Sequence, residues 1–178
     1  MARPTVKVFV VVVLLAFCAS SIAGTARGSS ASAPLVVPCR DITAGTAPAP
    51  GQAGTQSALG VIAVAAPAYE PHPAVPVQNA GRWTYWMKAG VGVRLGRFTV
   101  TVTVTKAWRS RAGISWGSSA AVVSSLRFSG CAGAPLVFAW NAYVGGFYLR
   151  GPAACVPLVV SSAGRSATLR FGIGKRCP

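Results

Sequence analysis

The stretch Phe98-Thr-Val-Thr-Val-Thr-Val-Thr105 decides the fold class. Its alternation matches the two-residue period of a pleated strand, so Phe98, Val100, Val102 and Val104 face one way and Thr99, Thr101, Thr103 and Thr105 the other. The valine face is a core face. The threonine face would form a recognition ladder only if neighbouring strands repeated the pattern, so on a single strand it reads as a solvent-facing or half-buried surface.

Outward from this strand the texture persists. Short β-branched and aromatic runs alternate with Gly and Pro turns: Leu59–Ala65, Trp83–Met87, Val91–Leu95, Gly113–Trp116, Ala121–Phe128, Leu136–Trp140, Gly146–Arg150, Val156–Ser161 and Ala167–Ile173. Ala163-Gly164 can turn between the last two as a hairpin. Proline-rich Pro67–Pro76, which contains Glu70 and His72, reads as an extended connection. After Gln56 no stretch holds a helical period. The expected fold is therefore all-β, a single antiparallel β-sandwich of jelly-roll or immunoglobulin-like type over residues 57–178. Residues 24–56, rich in Ala, Gly, Ser, Thr and Pro, read as a disordered arm, half tethered if Cys39 is bridged.

Ahead of the arm, Arg3 and Lys7 precede an apolar run from Val8 to Ala19, and small residues at Ser21 and Ala23 fit a signal peptidase site. A signal peptide over 1–23 is expected, with Ala26 as a second acceptable cleavage point. An uncleaved anchor is disfavoured by Ser20 and Ser21. Phe17 excludes acylation of Cys18, because a lipobox needs a small residue before the thiol. No later run is long and apolar enough to span a bilayer, so the mature protein is expected to be secreted, extracellular or wall-associated. That leaves 155 residues, enough for one core. It also leaves Cys39, Cys131, Cys155 and Cys177, whose even number in an exported chain predicts two disulfides. Four cysteines permit three pairings, and spacing does not choose among them.

Charge excludes more than it assigns. The chain has 17 Lys and Arg against two acids, Asp41 and Glu70, and one histidine, His72. Acid–base and metal chemistry need several such groups together, and no close C-x-x-C pair is present, so neither a metal site nor a cofactor is implied. Asp41 and Glu70 lie in Pro/Gly-rich segments and suit loop capping better than a glycosidase pair. Gly113-Ile-Ser115-Trp-Gly117 has the Gly-x-Ser-x-Gly spacing, but it falls in a β run with no helical stretch after it, so it does not form the strand-to-helix elbow a serine nucleophile needs beside His72. Gly90-Val-Gly92 precedes a strand instead of opening a helix, and Gly172-Ile-Gly-Lys175 meets the chain end, so neither is a phosphate loop. The protein is expected not to be an enzyme.

Several stretches carry a resemblance: Trp83-Thr-Tyr-Trp-Met-Lys88, Arg111–Gly117, Leu126-Arg-Phe-Ser-Gly-Cys131, Gly145-Gly-Phe147, Cys155-Val-Pro-Leu158 and Phe171-Gly-Ile-Gly174 leading to Cys177. With the leader and Cys39, they make the chain resemble small exported actinobacterial proteins of uncharacterised function. The resemblance implies an exported β protein and supplies no activity to carry over.

A basic and aromatic constellation remains: Trp83, Tyr85, Trp86, Lys88, Arg94, Arg97, Lys106, Trp108, Arg109 and Arg111. Arginine forks onto carboxylates and phosphates, and tryptophan faces stack on sugars, bases or cations. Arg97, Lys106, Trp108, Arg109 and Arg111 are the expected contacts of a non-catalytic module for anionic envelope material, a wall polymer or lipid surface. Nucleic acid is disfavoured by export. The alternatives are a structural secreted protein whose charge serves solubility, and a lectin-like glycan binder using Trp108, Trp116, Trp140 and Tyr143.

Overall fold

The computed structural model describes residues 33–43, 46–65, 72–131 and 139–178. In it Val100, Val102 and Val104 are fully buried, Thr99 is exposed and Thr101 and Thr103 are half-buried, as the alternation predicts. The leader with Ala23 and Ala26, Cys18, Glu70 and the strand start at Leu136 lie outside the described residues. The protein is all-β. Among the described residues the helical elements are two short 3-10 turns, Cys39–Asp41 and Lys106–Trp108.

Thr99–Val104 (β7) is the middle strand of a five-stranded sheet. Its neighbours are β9 (Ser125–Ser129), flanked by β1 (Leu35–Val37), and β12 (Ala154–Ser162), flanked by β13 (Arg165–Ile173). Only the β1–β9 pairing in this sheet is parallel. The Ala163-Gly164 turn forms as expected, with positive φ at both residues (48° and 72°), the twist that suits a tight hairpin. Hydroxyls do recur beside the threonine row, Ser129 opposite Thr99 and Ser161 opposite Thr101, but Arg127 and Val159 interrupt them. The face is mixed rather than a matched ladder.

Two four-stranded sheets complete the fold. One has the order β10 (Trp140–Tyr143), β6 (Gly90–Arg94), β3 (Ile62–Ala65), β2 (Thr55–Ala58); the other β4 (Val75–Pro76), β5 (Tyr85–Lys88), β11 (Gly145–Leu149), β8 (Ala112–Trp116). They share a corner. β5 continues into β6 through Ala89, β10 into β11 through Val144, and the Ala89 N–H donates to the Gly145 carbonyl at 2.9 Å. Inward alternation survives the bend: Met87, Ala89, Val91 and Val93 on one strand, Asn141, Tyr143, Phe147 and Leu149 on the other, are all buried.

The core joins all three sheets through aromatic contacts. Phe147 of β11 meets Phe171 of β13 at 5.2 Å between ring centroids, and Phe128 of β9 meets Tyr143 of β10 at 5.1 Å. Trp116 packs edge-on against Phe147 and donates its indole N–H to the Ala89 carbonyl at 2.7 Å, so its one polar atom is satisfied in the core. The open edges of β2 and β13 are joined by a side chain. The Gln56 amide donates to the Arg170 carbonyl and accepts from the Arg170 N–H, taking the place of a peptide group.

Of the arm expected over 24–56, the tether at Cys39 forms as read, and the described residues are more ordered than their composition suggests. They contribute β1 and the start of β2, and Ala47 is buried. Two causes operate: Val37 finds a place in the core, and Cys39 is bridged to Cys131. The second bridge joins Cys155 to Cys177, so two disulfides form as expected. Asp41 caps a loop. Its carboxylate accepts from the Ser118 hydroxyl at 2.6 Å and the Ser118 N–H at 3.0 Å, and a side chain at Gly117 would strike it at 2.7 Å.

In the chain-entropy model, the bridge spanning 92 residues restrains the unfolded chain more than the one spanning 22. Replacing Cys39 and Cys131 together by Ala should therefore cost about 4–5 kcal/mol, and replacing Cys155 and Cys177 about 3 kcal/mol, in urea unfolding. The Ser118 bonds hold the Asp41 carboxyl below its usual range. A depressed carboxyl stabilises the fold above its unfolded value and loses that contribution as pH falls through the folded one. Thermal unfolding should show a midpoint that drops below about pH 4, and this acid-dependent drop should shrink in Asp41→Asn.

Candidate functional site

The site is built on the outward face of the sheet containing β5, β11 and β8. Register sets three rows across it. Trp86, Tyr148 and Gly113 lie side by side; Lys88, Gly146 and Ser115 form the next row in one direction. In the other direction lie Thr84, Arg150 and Arg111, held by the Thr84 hydroxyl on the Arg150 carbonyl and the Arg150 N–H on the Arg111 carbonyl. The same alternation that buries Met87, Phe147 and Leu149 thus presents Trp86, Tyr148 and Arg150 outward.

Arg82 and Arg109 extend the cationic row. Arg82 donates to the Arg109 carbonyl at 3.2 Å and its guanidinium lies 4.5 Å from the centre of the Trp83 ring. Arg109 donates through Nε to the Val104 carbonyl at 3.2 Å, and Arg111 stacks on Trp108 at 4.1 Å. Carbonyls and aromatic faces, not carboxylates, orient these groups. The one described acidic side chain, Asp41, is tied to Ser118 past the far end of β8 from Arg111. Arg82, Arg109, Arg111 and Arg150 therefore come together from three chain segments with no acid against them among the described residues.

Beside this cluster runs an open groove of about 490 Å³ between the 77–83 loop and the 120–122 segment, with Tyr148 on its floor. Trp83 is buried and its indole lies over Gly113, where a Cβ would meet Trp83 Cζ2 at 2.9 Å and Val122 Cγ1 at 2.5 Å. Only glycine lets that wall close on the strand.

The contacts expected from sequence separate. Lys106, Trp108, Arg109 and Arg111 stay together around the second 3-10 turn, with Lys106 and Arg111 exposed. Arg97 precedes the opposite end of β7, about 17 Å away by strand length, and does not join them. Arg82 and Arg150 join instead. Their contribution depends on long-range register, which no local pattern announces. Of the four aromatics considered as glycan platforms, Trp116 and Tyr143 are core residues, each 1% exposed, and cannot stack on a ligand. Trp108 and Trp140 are half-buried. The Tyr143 phenol is pushed upward by burial and then by the Asp41 charge, so it stays protonated.

No family model, curated protein or solved structure matches the chain.

Gly113→Ala should push Trp83 off β8. Expected outcomes are a stability loss of about 1–3 kcal/mol in urea unfolding and a red-shifted tryptophan emission.

Proposed function

We propose that this chain is an exported, non-catalytic binding module for anionic cell-envelope polymer. The reading rests on one observation above the others: four arginines from three segments converge on one face, three of them with guanidinium groups oriented by carbonyls and aromatic rings, with no described acid to neutralise them. Forked guanidinium groups accept carboxylate and phosphate oxygens in pairs, and a rigid array of them meets a chain of negative charges. Lys106 and Trp108 flank the array. The leader supports export, as do two disulfides. The resemblance to small exported actinobacterial proteins agrees with that compartment. We read the architecture as a sandwich, with the five-stranded sheet facing the bent pair of four-stranded sheets; their shared core supports this.

The test is binding to poly(glycerol phosphate) by titration across ionic strength. Charge-driven association should give an affinity that falls linearly with salt on logarithmic axes. Replacing Arg82, Arg109, Arg111 and Arg150 together by Gln should weaken binding about a hundredfold and flatten the salt slope by about 3, near 0.7 for each lost contact. Binding that survives undiminished at high salt, or is untouched by the four substitutions, would overturn the proposal, and absence of binding at low salt would favour a structural secreted protein.

A further inference from the structure

We infer that the groove beside the arginine cluster seats a sugar ring, which makes the ligand an acidic polysaccharide; this deepens, and rests on, the polyanion reading above.

Guanidinium groups alone serve any polyanion, including one without rings. The groove adds different chemistry. Arg82 belongs to both, since it lines the groove while its guanidinium donates to the Arg109 carbonyl. Next to it stand the exposed amides Gln78 and Asn79, the half-buried Tyr148, and the apolar Trp83 and Val122. An amide offers two donors and a carbonyl acceptor; its donors serve an anion too, but its acceptor is used only by a donor such as the vicinal hydroxyls of a sugar. Tyr148 brings an aromatic body with a hydroxyl tip, and Trp86 lies beside it in register on the same sheet face. The volume, about 490 Å³, falls within the range of pockets for small molecules, and the groove is open, so a polymer can enter and leave it. A saccharide ring in the groove places its anionic substituent against Arg82 and lets the next residues of the polymer run toward Arg109, Arg111 and Arg150. Charge then supplies attraction, and the groove supplies selection for ring and hydroxyls.

Four probes test this by calorimetric titration at low salt: polygalacturonate (ring and charge), poly(glycerol phosphate) (charge without a ring), dextran (ring without charge) and a thymidine oligonucleotide. The Gln78→Ala/Asn79→Gly pair removes both amides from the surface, with glycine chosen at 79 because Asn79 holds a φ of 59°, and Tyr148→Ala is the second variant, its fold checked by circular dichroism. The expected result is polygalacturonate affinity lowered about tenfold by the amide pair, with poly(glycerol phosphate) affinity changed less than about twofold. Arg111→Gln/Arg150→Gln should weaken both charged polymers, and dextran should bind far more weakly than polygalacturonate.

If the groove variants leave polygalacturonate unaffected, the sugar site is overturned while the polyanion reading stands. If neither charged polymer binds, both fall together. An oligonucleotide that binds more tightly than polygalacturonate and loses affinity in the groove variants would replace the sugar by a base and overturn the inference.

Discussion

Alternation carried without a break around a corner is the constraint from which the rest follows. The 85–94 and 140–149 segments each bend after a single linking residue, yet every second side chain stays inside on both arms. That parity delivers Phe147 to Phe171 and Tyr143 to Phe128, and so ties two four-stranded sheets to the five-stranded one through a common core. It equally fixes what faces out. An extra residue at Ala89 would turn Trp86 into the core and Met87 onto the surface, exchanging the site for the interior it rests on.

The second determinant is a shortage. With 17 basic residues and two acids, ordinary surface ion pairing is not open to this chain. Its arginines lean on what remains: main-chain carbonyls at Val104 and Arg109, and the indoles of Trp83 and Trp108. These partners orient a guanidinium without cancelling its charge. The cluster is thereby held in shape while its field stays available to a ligand. Asp41 is spent on a backbone loop instead, where its two bonds to Ser118 hold the segment after β8 against the bridged Cys39 turn.

What the sequence makes legible divides along the line between local and long-range information. The Thr-Val alternation of β7 and the Ala163-Gly164 turn are local, and both appear as read. Ala121–Phe128 reads as one strand because its composition is suitable, but only Ser125 onward pairs in the five-stranded sheet; Val123 bridges instead to Ile114. β1, β2 and β4 escape notice because they are two to four residues long and gain their bonds from distant partners. The site follows the same rule. Lys106, Trp108, Arg109 and Arg111 are close in the chain and remain close in space. Arg97 belongs to the same basic stretch of sequence, but the strand between it and Lys106 is extended and carries it away. Arg82 and Arg150 arrive only through pairing, and the inward parity of Trp116 and Tyr143 cannot be told from an outward one without knowing which face is covered.

The Gln56 carboxamide, bonded twice to the main chain at Arg170, has a consequence for how this protein keeps to itself. Rows of unused peptide groups invite a foreign chain to continue the sheet. Here one such position is already saturated from the side, by a single carboxamide carried on a CH₂–CH₂ stem. At that position an added strand would find neither donor nor acceptor free, and the chain's excess of like charge opposes close approach of copies.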